Sequence, residues 1–264
     1  MDSIEHNRQA WDQRVRDGQR FTRPATPMEL REAAKNIDPW VSAEGVHHKT
    51  VLCLGAGGGR QGPLYAAAGG LVTVVDVSVQ QLEIDRRVAH QAKLNLITVA
   101  ASMDDLSQLV AGSFDIVVHP VSTCYLPDIV RVYEQVARVL KIGGLYVSQH
   151  KQPTSLQADI RRSKHGYEIT EPYYRQGPLP DVNGSPHRES GTLEYLHRWE
   201  QLIGGMCRSG FVIEDLAEPK HADPAAKMGS FGDRSQFIAP YVRIKARRVE
   251  QPERTDRTPT ITLA

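Results

Sequence analysis

Gly55, Gly57 and Gly59 directly follow an apolar run at 51–54, and Asp76 closes a second apolar run at 71–75. Glycine lets a backbone turn sharply and lets a ligand come close, because no Cβ stands in the way. A helix beginning beyond such a loop offers unpaired N–H groups and the positive end of its dipole. An acid ending the neighbouring strand lies beside the loop, where it can accept from the two hydroxyls of a ribose. The stretch 51–76 is therefore built to hold a nucleoside-containing cofactor. Two glycine registers compete. Gly57, Gly59 and Gly62 satisfy the G-x-G-x-x-G spacing of a dinucleotide site, although that motif starts late; counted from Gly55, the third glycine would fall on Arg60. Gly55, Gly57 and Gly59 instead give G-x-G-x-G immediately after the strand. A third reading, glycines that merely turn a strand into a helix, needs no ligand.

The elements that must position these residues follow from periodicity. Residues 3–18 read as a helix with Ile4, Ala10, Trp11 and Val15 along one side, broken by the segment 19–24. A second helix is expected over 27–40, ended by Asp38-Pro39. After Asp76, Ser78 is an N-cap for a helix with Leu82, Ile84, Val88, Ala89 and Ala92 at helical spacing. Strands follow at 96–100 and 114–118, the latter a near-continuous apolar run suited to burial on both faces. Ile129, Val132, Tyr133, Val136, Val139 and Leu140 make an amphipathic helix capped by Asp128. Gly143-Gly144 is expected to end it before a fifth strand at 145–148. Residues 151–190 change composition, being rich in Pro, Tyr, Arg and His, and read as an insertion. The alternation at 191–197 places Leu193, Tyr195 and His197 on one face of a strand, expected to pair with 167–175 as a hairpin. Trp199, Leu202, Ile203, Met206 and Cys207 form another helical stripe, stopped by Gly210. A sixth strand at 211–216, a loop at 217–235 and a seventh strand at 237–245 complete the pattern.

The glycine loop, Asp76, the pair Met103-Asp104 past the third strand and the run FDIVVHPVSTCYLPDIVRVYEQVARVLKIGGLYVSQH stand in a familiar order and spacing. Residues 50–150 thereby resemble the class I S-adenosylmethionine-dependent methyltransferases, and the RVLKIGGLYV ending is typical of them. The run YLHRWEQLIGGMCRSGFVIEDLAEP is similar to the last helix and sixth strand of small-molecule members. One departure is Cys53, where the family usually has an acid two residues before the first glycine. The resemblance implies an α/β fold: a Rossmann-like, doubly wound seven-stranded sheet, mostly parallel with the last strand antiparallel, helices on both faces and a small substrate cap. It divides the chain into an N-terminal helical lid (1–49), a binding core (50–150), a cap (151–198), the C-terminal part of the core (199–248) and a disordered tail (249–264). It implies S-adenosyl-L-methionine as cofactor and S-adenosyl-L-homocysteine as product. Gly55, Ala56, Gly57 and Gly59 would form the loop, with Asp76 on the ribose beside Val77 and Gln81. Asp104 would reach the adenine amino group, unless it is only a helix N-cap. Met103 would supply a backbone N–H and an apolar wall to the adenine, with Ser102 also on the cofactor, and His119 and Pro120 would end the fourth strand against the cofactor. Trp11 and Phe21 would belong to the lid, unless they simply dock on the domain.

Methyl transfer from a sulfonium is an in-line displacement, in which the protein chiefly supplies alignment. A hydroxyl or amine acceptor must also lose a proton, which asks for a base. His119, His150 and His197 are the candidates, since imidazole titrates near neutral pH; each could equally pack or bind. Tyr125, Tyr173 and Tyr195, with His150 and His197, are candidates for the acceptor pocket, and the aromatics Tyr167, Tyr173, Tyr174, Tyr195 and Trp199 suggest a flat or apolar acceptor. The reading that follows is O-methylation of a small, phenolic metabolite. N- or C-methylation, an NAD-dependent oxidoreductase using the later glycine register, and a non-catalytic binding protein on the same fold stay open.

The totals narrow the class. With 264 residues, 40% hydrophobic and 24% charged, the chain can bury a core. A formal net charge of +1 with no basic stripe argues against nucleic acid. The 3 cysteines, Cys53, Cys124 and Cys207, lack C-x-x-C spacing and read as reduced thiols. The 10 histidines show no metal-ligand spacing, the adjacent His47 and His48 included. No signal-like stretch or membrane-length apolar run is present. These features suggest a cytoplasmic protein, monomeric or homodimeric, with a small-molecule partner.

Overall fold

The computed structural model describes residues 2–19, 21–182, 185 and 187–250. The expected disordered tail lies, from residue 251 on, outside the described residues. Seven strands form one sheet: β1 (Thr50–Leu54), β2 (Leu71–Asp76), β3 (Leu96–Ala100), β4 (Phe114–His119), β5 (Leu140–Lys151), β6 (Phe211–Ala217) and β7 (Tyr241–Arg248). Their order is β3-β2-β1-β4-β5-β7-β6. β7 runs antiparallel to both neighbours, and the remaining pairs are parallel. The sheet is thus the mostly parallel, seven-stranded one that the pattern implies.

Central strands buried on both faces send successive residues to opposite cores. Val51 and Cys53 of β1 join Val72, Val74, Ile116, Val118, Leu145 and Val147 in one core. Leu52 and Leu54 join Val117, Tyr146 and Val242 in the other. Cys53 is fully buried in the first, as a packing thiol. Helices cover both faces: α1 (Ser3–Arg16), α2 (Pro27–Arg31), α3 (Ala33–Asn36), α4 (Pro39–Glu44), α5 (Gln61–Ala67), α6 (Val79–Ala92) and α7 (Ile129–Val139). On α7, Ile129, Val132, Tyr133, Val136 and Val139 are all buried, and Asp128 accepts the Val130 N–H at 2.9 Å. No helix among the described residues is long and apolar enough to cross a membrane.

Four local expectations need correction. The helix over 27–40 is three short pieces, and Asp38-Pro39 starts the third instead of ending the first. Asp38 accepts the Trp40 N–H at 2.9 Å with Pro39 at the first helical position, which is a start signal. Gly143-Gly144 does not end α7; it lies inside the longer β5. There Phe114 faces Leu140 and Ile116 already faces Leu145, and Gly143, at φ +78°, absorbs the bulge.

The hairpin between 167–175 and 193–197 does not form. Residues 167–175 are irregular apart from the bridge at Ile169, while the Tyr195 N–H donates to Cys124 O at 2.7 Å and Leu179 N–H to Glu194 O at 2.7 Å. The expected face is only partly right: His197 is buried, but so are Thr192, Glu194 and Leu196, whereas Leu193 and Tyr195 are only half-buried. Finally, the seventh strand begins at Tyr241, because 231–234 is a short helix tied back to the cap. Tyr167 OH donates to Asp233 Oδ2 at 2.8 Å, and Arg234 Nη2 donates to Ser155 O at 2.7 Å and Ala158 O at 3.1 Å.

Candidate active site

A cavity of about 440 Å³ opens beside the ends of β1, β2, β4 and β5. One side of it is the glycine loop. A Cβ on Gly55, whose φ is +56°, would stand 2.5 Å from Ser122 Oγ and 3.2 Å from Met103 Cε. A Cβ on Gly57 would stand 2.6 Å from Gln81 Cβ and 3.0 Å from Asp76 Oδ2. These glycines are therefore required by space. Asp76 holds the loop: its Oδ2 accepts the Gly57 N–H and its Oδ1 the Ser78 N–H, both at 2.9 Å. Burial pushes the Asp76 carboxyl up to about 6, against the pull of those N–H groups. Behind it, Asp85 of α6 accepts the Gly58 N–H at 2.9 Å and is pushed by burial up to about 7. Asp85 was not singled out from the sequence; the only signal was an acid among the apolar positions of α6.

Ala56, Val77, Gln81, Ser102, Met103 and Pro120 all line the same side, with Gly55, Gly57 and Asp76. The buried Gln81 Oε1 has no hydrogen-bond partner among the described residues. A glycine cradle, a carboxylate facing the cavity and an unpartnered amide oxygen fit a nucleoside with a polar tail. Three expected contacts lie elsewhere. Gly59 faces α6, where a Cβ would meet Ile84 Cγ2 at 2.7 Å. Asp104 is absent from the lining, and its carboxylate takes the Ser102 hydroxyl in the turn after β3. His119 lies behind the wall.

The other side of the cavity comes from several separate parts of the chain. α1 brings Asn7 and Trp11. Asn7 Nδ2 donates to Tyr125 O at 2.8 Å and Leu193 O at 3.0 Å, while its Oδ1 accepts the Leu193 N–H at 2.8 Å. Asp12, further along α1, accepts from Ser78 Oγ at 2.6 Å and Arg8 Nη1 at 2.8 Å. The helix is thus pinned beside Tyr125 by Asn7 and beside Asp76 by Asp12. Trp11 meets Tyr125 edge-on at 5.5 Å, and Phe21 also lines the cavity. α2–α4 lie elsewhere, packing Ala33, Ile37 and Val41 into the core with Leu64 and Tyr65. The aromatic wall is His221, Phe231 and Tyr241, and the polar floor is Gln149, Lys151, Glu189 and Tyr125. Of the residues expected around an acceptor, only Tyr125 lines the cavity. Tyr173 OH instead accepts the Trp199 N–H at 3.3 Å, and Tyr195 is outside the lining.

The three candidate histidines are brought together, but beneath the cavity. His119 Nε2 is 2.9 Å from Ser122 Oγ and its Nδ1 is 2.9 Å from Tyr146 OH. His150 contacts Thr123 Oγ1 at 2.9 Å and Ser148 Oγ at 2.8 Å. His197 Nε2 reaches Thr123 O at 3.0 Å. The cause is strand alternation: on β5, Ser148 and His150 share the face of Tyr146, so Gln149 and Lys151 take the cavity face. Burial pushes His119 down to about 3, His150 well below the usual imidazole range, and His197 down as well. These groups are therefore neutral in the fold. The unfolded chain takes up protons below about 6.5 where the fold does not, so their stabilisation is present above that pH and lost as pH falls. The midpoint of thermal unfolding should drop between pH 7 and pH 5, and the His150→Gln variant should show a shallower drop. Equal slopes in the two proteins would refute this.

Comparison with known proteins agrees with the geometry. A model described as a methyltransferase domain matches residues 52–148. The uncharacterized methyltransferase YbaJ of Bacillus subtilis (strain 168) is 34% identical over 231 residues, 82% of this chain and 91% of that one. A ubiquinone biosynthesis O-methyltransferase of Vibrio campbellii is 31% identical over 102 residues, 39% of this chain and 43% of the relative. Among solved structures, an S-adenosylmethionine-dependent methyltransferase from Mesorhizobium loti shares the fold, with a TM-score of 0.62 at 22% identity over 82% of this chain and 96% of that one. The chain belongs to the class I S-adenosylmethionine-dependent methyltransferases. The dinucleotide reading of Gly57, Gly59 and Gly62 is thereby set aside.

Proposed function

We propose that this enzyme methylates a hydroxyl group of a small, phenolic acceptor, and that it does so by positioning, without a histidine base. The observation that carries the reading is the continuity of one cavity from the glycine loop and Asp76 to the polar floor at Gln149 and Glu189. S-adenosylmethionine, when bound, supplies a methyl group on a sulfonium; the acceptor oxygen's lone pair forms the new C–O bond as the C–S pair returns to sulfur. Gly55, Gly57 and Asp76 would hold the nucleoside, and Met103 and Pro120 would wall its base. Asn7, Trp11 and Phe21 line the cavity on its other side and would help to exclude water. The floor would orient the hydroxyl, whose proton leaves to water. Relatives matched over the core are named both as O-methyltransferases and as C-methyltransferases, so the O-reading rests on the polar floor.

Calorimetric titration with S-adenosylhomocysteine, and separately with NAD, tests the cofactor. Micromolar binding of the first and none of the second is expected. Turnover of labelled methyl donor on a phenol panel then tests the acceptor. His150→Gln and His197→Gln should each change kcat by less than about tenfold, below the usual contribution of a general base. A hundredfold loss in either, with the fold intact, would restore the base.

A further inference from the structure

We propose that Gln149, Lys151, Glu189 and Tyr125 form an acceptor-reading subsite that takes an uncharged planar ring carrying a hydroxyl group. This deepens, and rests on, the methyltransferase reading, because it names the acceptor class of that same cavity.

The floor is a built site. Glu189 Oε2 accepts from Lys151 Nζ at 2.6 Å and from Tyr125 OH at 2.9 Å. Behind it, Glu194 accepts from Lys151 Nζ at 2.8 Å, Arg188 Nε at 2.7 Å and the Glu189 N–H at 3.2 Å. The side chains of Lys151, Glu189, Glu194 and Arg188 are only 4%, 9%, 0% and 9% exposed. Burial pushes the Glu194 carboxyl up, but it accepts from both Lys151 and Arg188 and stays ionised. Two cations therefore balance two carboxylates, and the cluster has no spare charge to receive an ion. A charged acceptor would lose its hydration there without gaining a counter-charge. Elsewhere around the cavity, Arg60 is paired to Glu29 at 2.8 Å, Arg23 sits at the exposed rim and Asp76 belongs to the cofactor side.

The floor asks for a proton donor. Burial opposes charge on Glu189, yet Lys151 beside it holds the carboxyl down at about 2. It therefore stays ionised and only accepts hydrogen bonds. Gln149 enters from the cavity face of β5, and its amide makes no hydrogen bond among the described residues. A ligand hydroxyl on the floor would meet both a fixed acceptor and an uncommitted amide.

The wall asks for a flat body. Phe231 and Tyr241 stand 6.3 Å apart, and His187 stacks behind Phe231 at 5.2 Å with a 22° interplanar angle. Both ring nitrogens of His187 are buried without partners among the described residues, and burial pushes it down to about 4. It backs the wall as a neutral plane. Across the cavity, Trp11 and Tyr125 present further ring edges, and such surfaces favour planar groups. The loop carrying Tyr125 also carries Ser122, which touches the position of a Gly55 Cβ. The subsite therefore adjoins the glycine loop.

The test uses catechol, benzoate and benzylammonium as probes, titrated into the full chain saturated with S-adenosylhomocysteine and followed by tryptophan fluorescence. Catechol should bind at least about tenfold tighter than either ion. Glu189→Gln should weaken catechol by about tenfold or more. Gln149→Ala, which breaks no hydrogen bond among the described residues, should weaken it severalfold and keeps the test open if Glu189→Gln does not fold. S-adenosylhomocysteine affinity should be unchanged in both variants. Equal or tighter binding of an ion, no binding of catechol, or catechol affinity unchanged in both variants would overturn the subsite. Failure of the wild-type chain to bind S-adenosylhomocysteine would show earlier, and would overturn the cofactor reading beneath it.

Discussion

Replacing Asp76 by alanine should lower the affinity for S-adenosylhomocysteine by about a hundredfold or more. A carboxylate accepting from two ribose hydroxyls makes two charge-assisted hydrogen bonds, each worth about 1.5–3 kcal/mol. Losing the pair removes about 3 kcal/mol or more, which is two decades of affinity. The loop suffers as well, because the Gly57 and Ser78 N–H groups lose the acceptor they share at 2.9 Å. Asp76→Asn keeps one acceptor oxygen and should fall between wild type and Asp76→Ala. The pH dependence has a definite sign. With the carboxyl pushed up to about 6, the ionised form is lost as pH falls through that value. A protonated acid must place its own proton, so wild-type affinity should decline below about pH 6 while that of Asp76→Ala stays flat. Calorimetry across pH 5–8 checks both statements, and near-equal affinities of the two proteins at pH 8 would remove Asp76 from the ribose.

The second large effect is on stability. Lys151→Met should destabilise the fold by about 3–5 kcal/mol near neutral pH, because it strands a buried carboxylate without its cation. Glu194 keeps Arg188, and Glu189 keeps only the Tyr125 hydroxyl among the contacts described above. In the wild type Glu189 lies low, at about 2, so its stabilisation is present above the ordinary glutamate range and lost as pH falls toward 2. In the variant the sign reverses. An unpaired buried carboxyl has a raised pKa, the fold binds a proton the unfolded chain does not, and stability recovers as pH falls. The deficit against wild type should therefore narrow between pH 7.5 and pH 5. Lys151→Met combined with Glu189→Gln should regain much of the loss. Urea denaturation of the three proteins at the two pH values decides; a pH-independent deficit would mean that lost packing, not charge, is responsible.

Much of the architecture was legible without coordinates. Apolar runs at 51–54, 71–75 and 114–118 dictate buried parallel strands, and the stripe from Ile129 to Val139 dictates an amphipathic helix. These signals are local and repeated over several residues, so one exception does not erase them. Gly55, Gly57 and Asp76 were legible for the same reason: a strand end, a tight turn and an acid at the next strand end require particular residue types. Single-residue decisions were not legible. Whether His150 or Gln149 faces the cavity depends on strand parity, and one step along β5 exchanges them. Nor could Asp38-Pro39 announce whether it stopped one helix or started another.

The acceptor side was hidden more deeply. Asn7, Lys151, Glu189 and Phe231 come from α1, the end of β5, the cap and a helix inside an expected loop. No spacing along the chain relates them. Glu189 was one acid in a polar insertion, and only the fold supplies the buried Lys151 that keeps it charged. The family resemblance of residues 50–150 pointed to the class of enzyme and to the proposed cofactor half of its site, because both are written in contiguous turns and strands. The proposed acceptor half was decided by tertiary packing alone, because it is an enclosure assembled from distant segments whose charges make sense only once they are buried together.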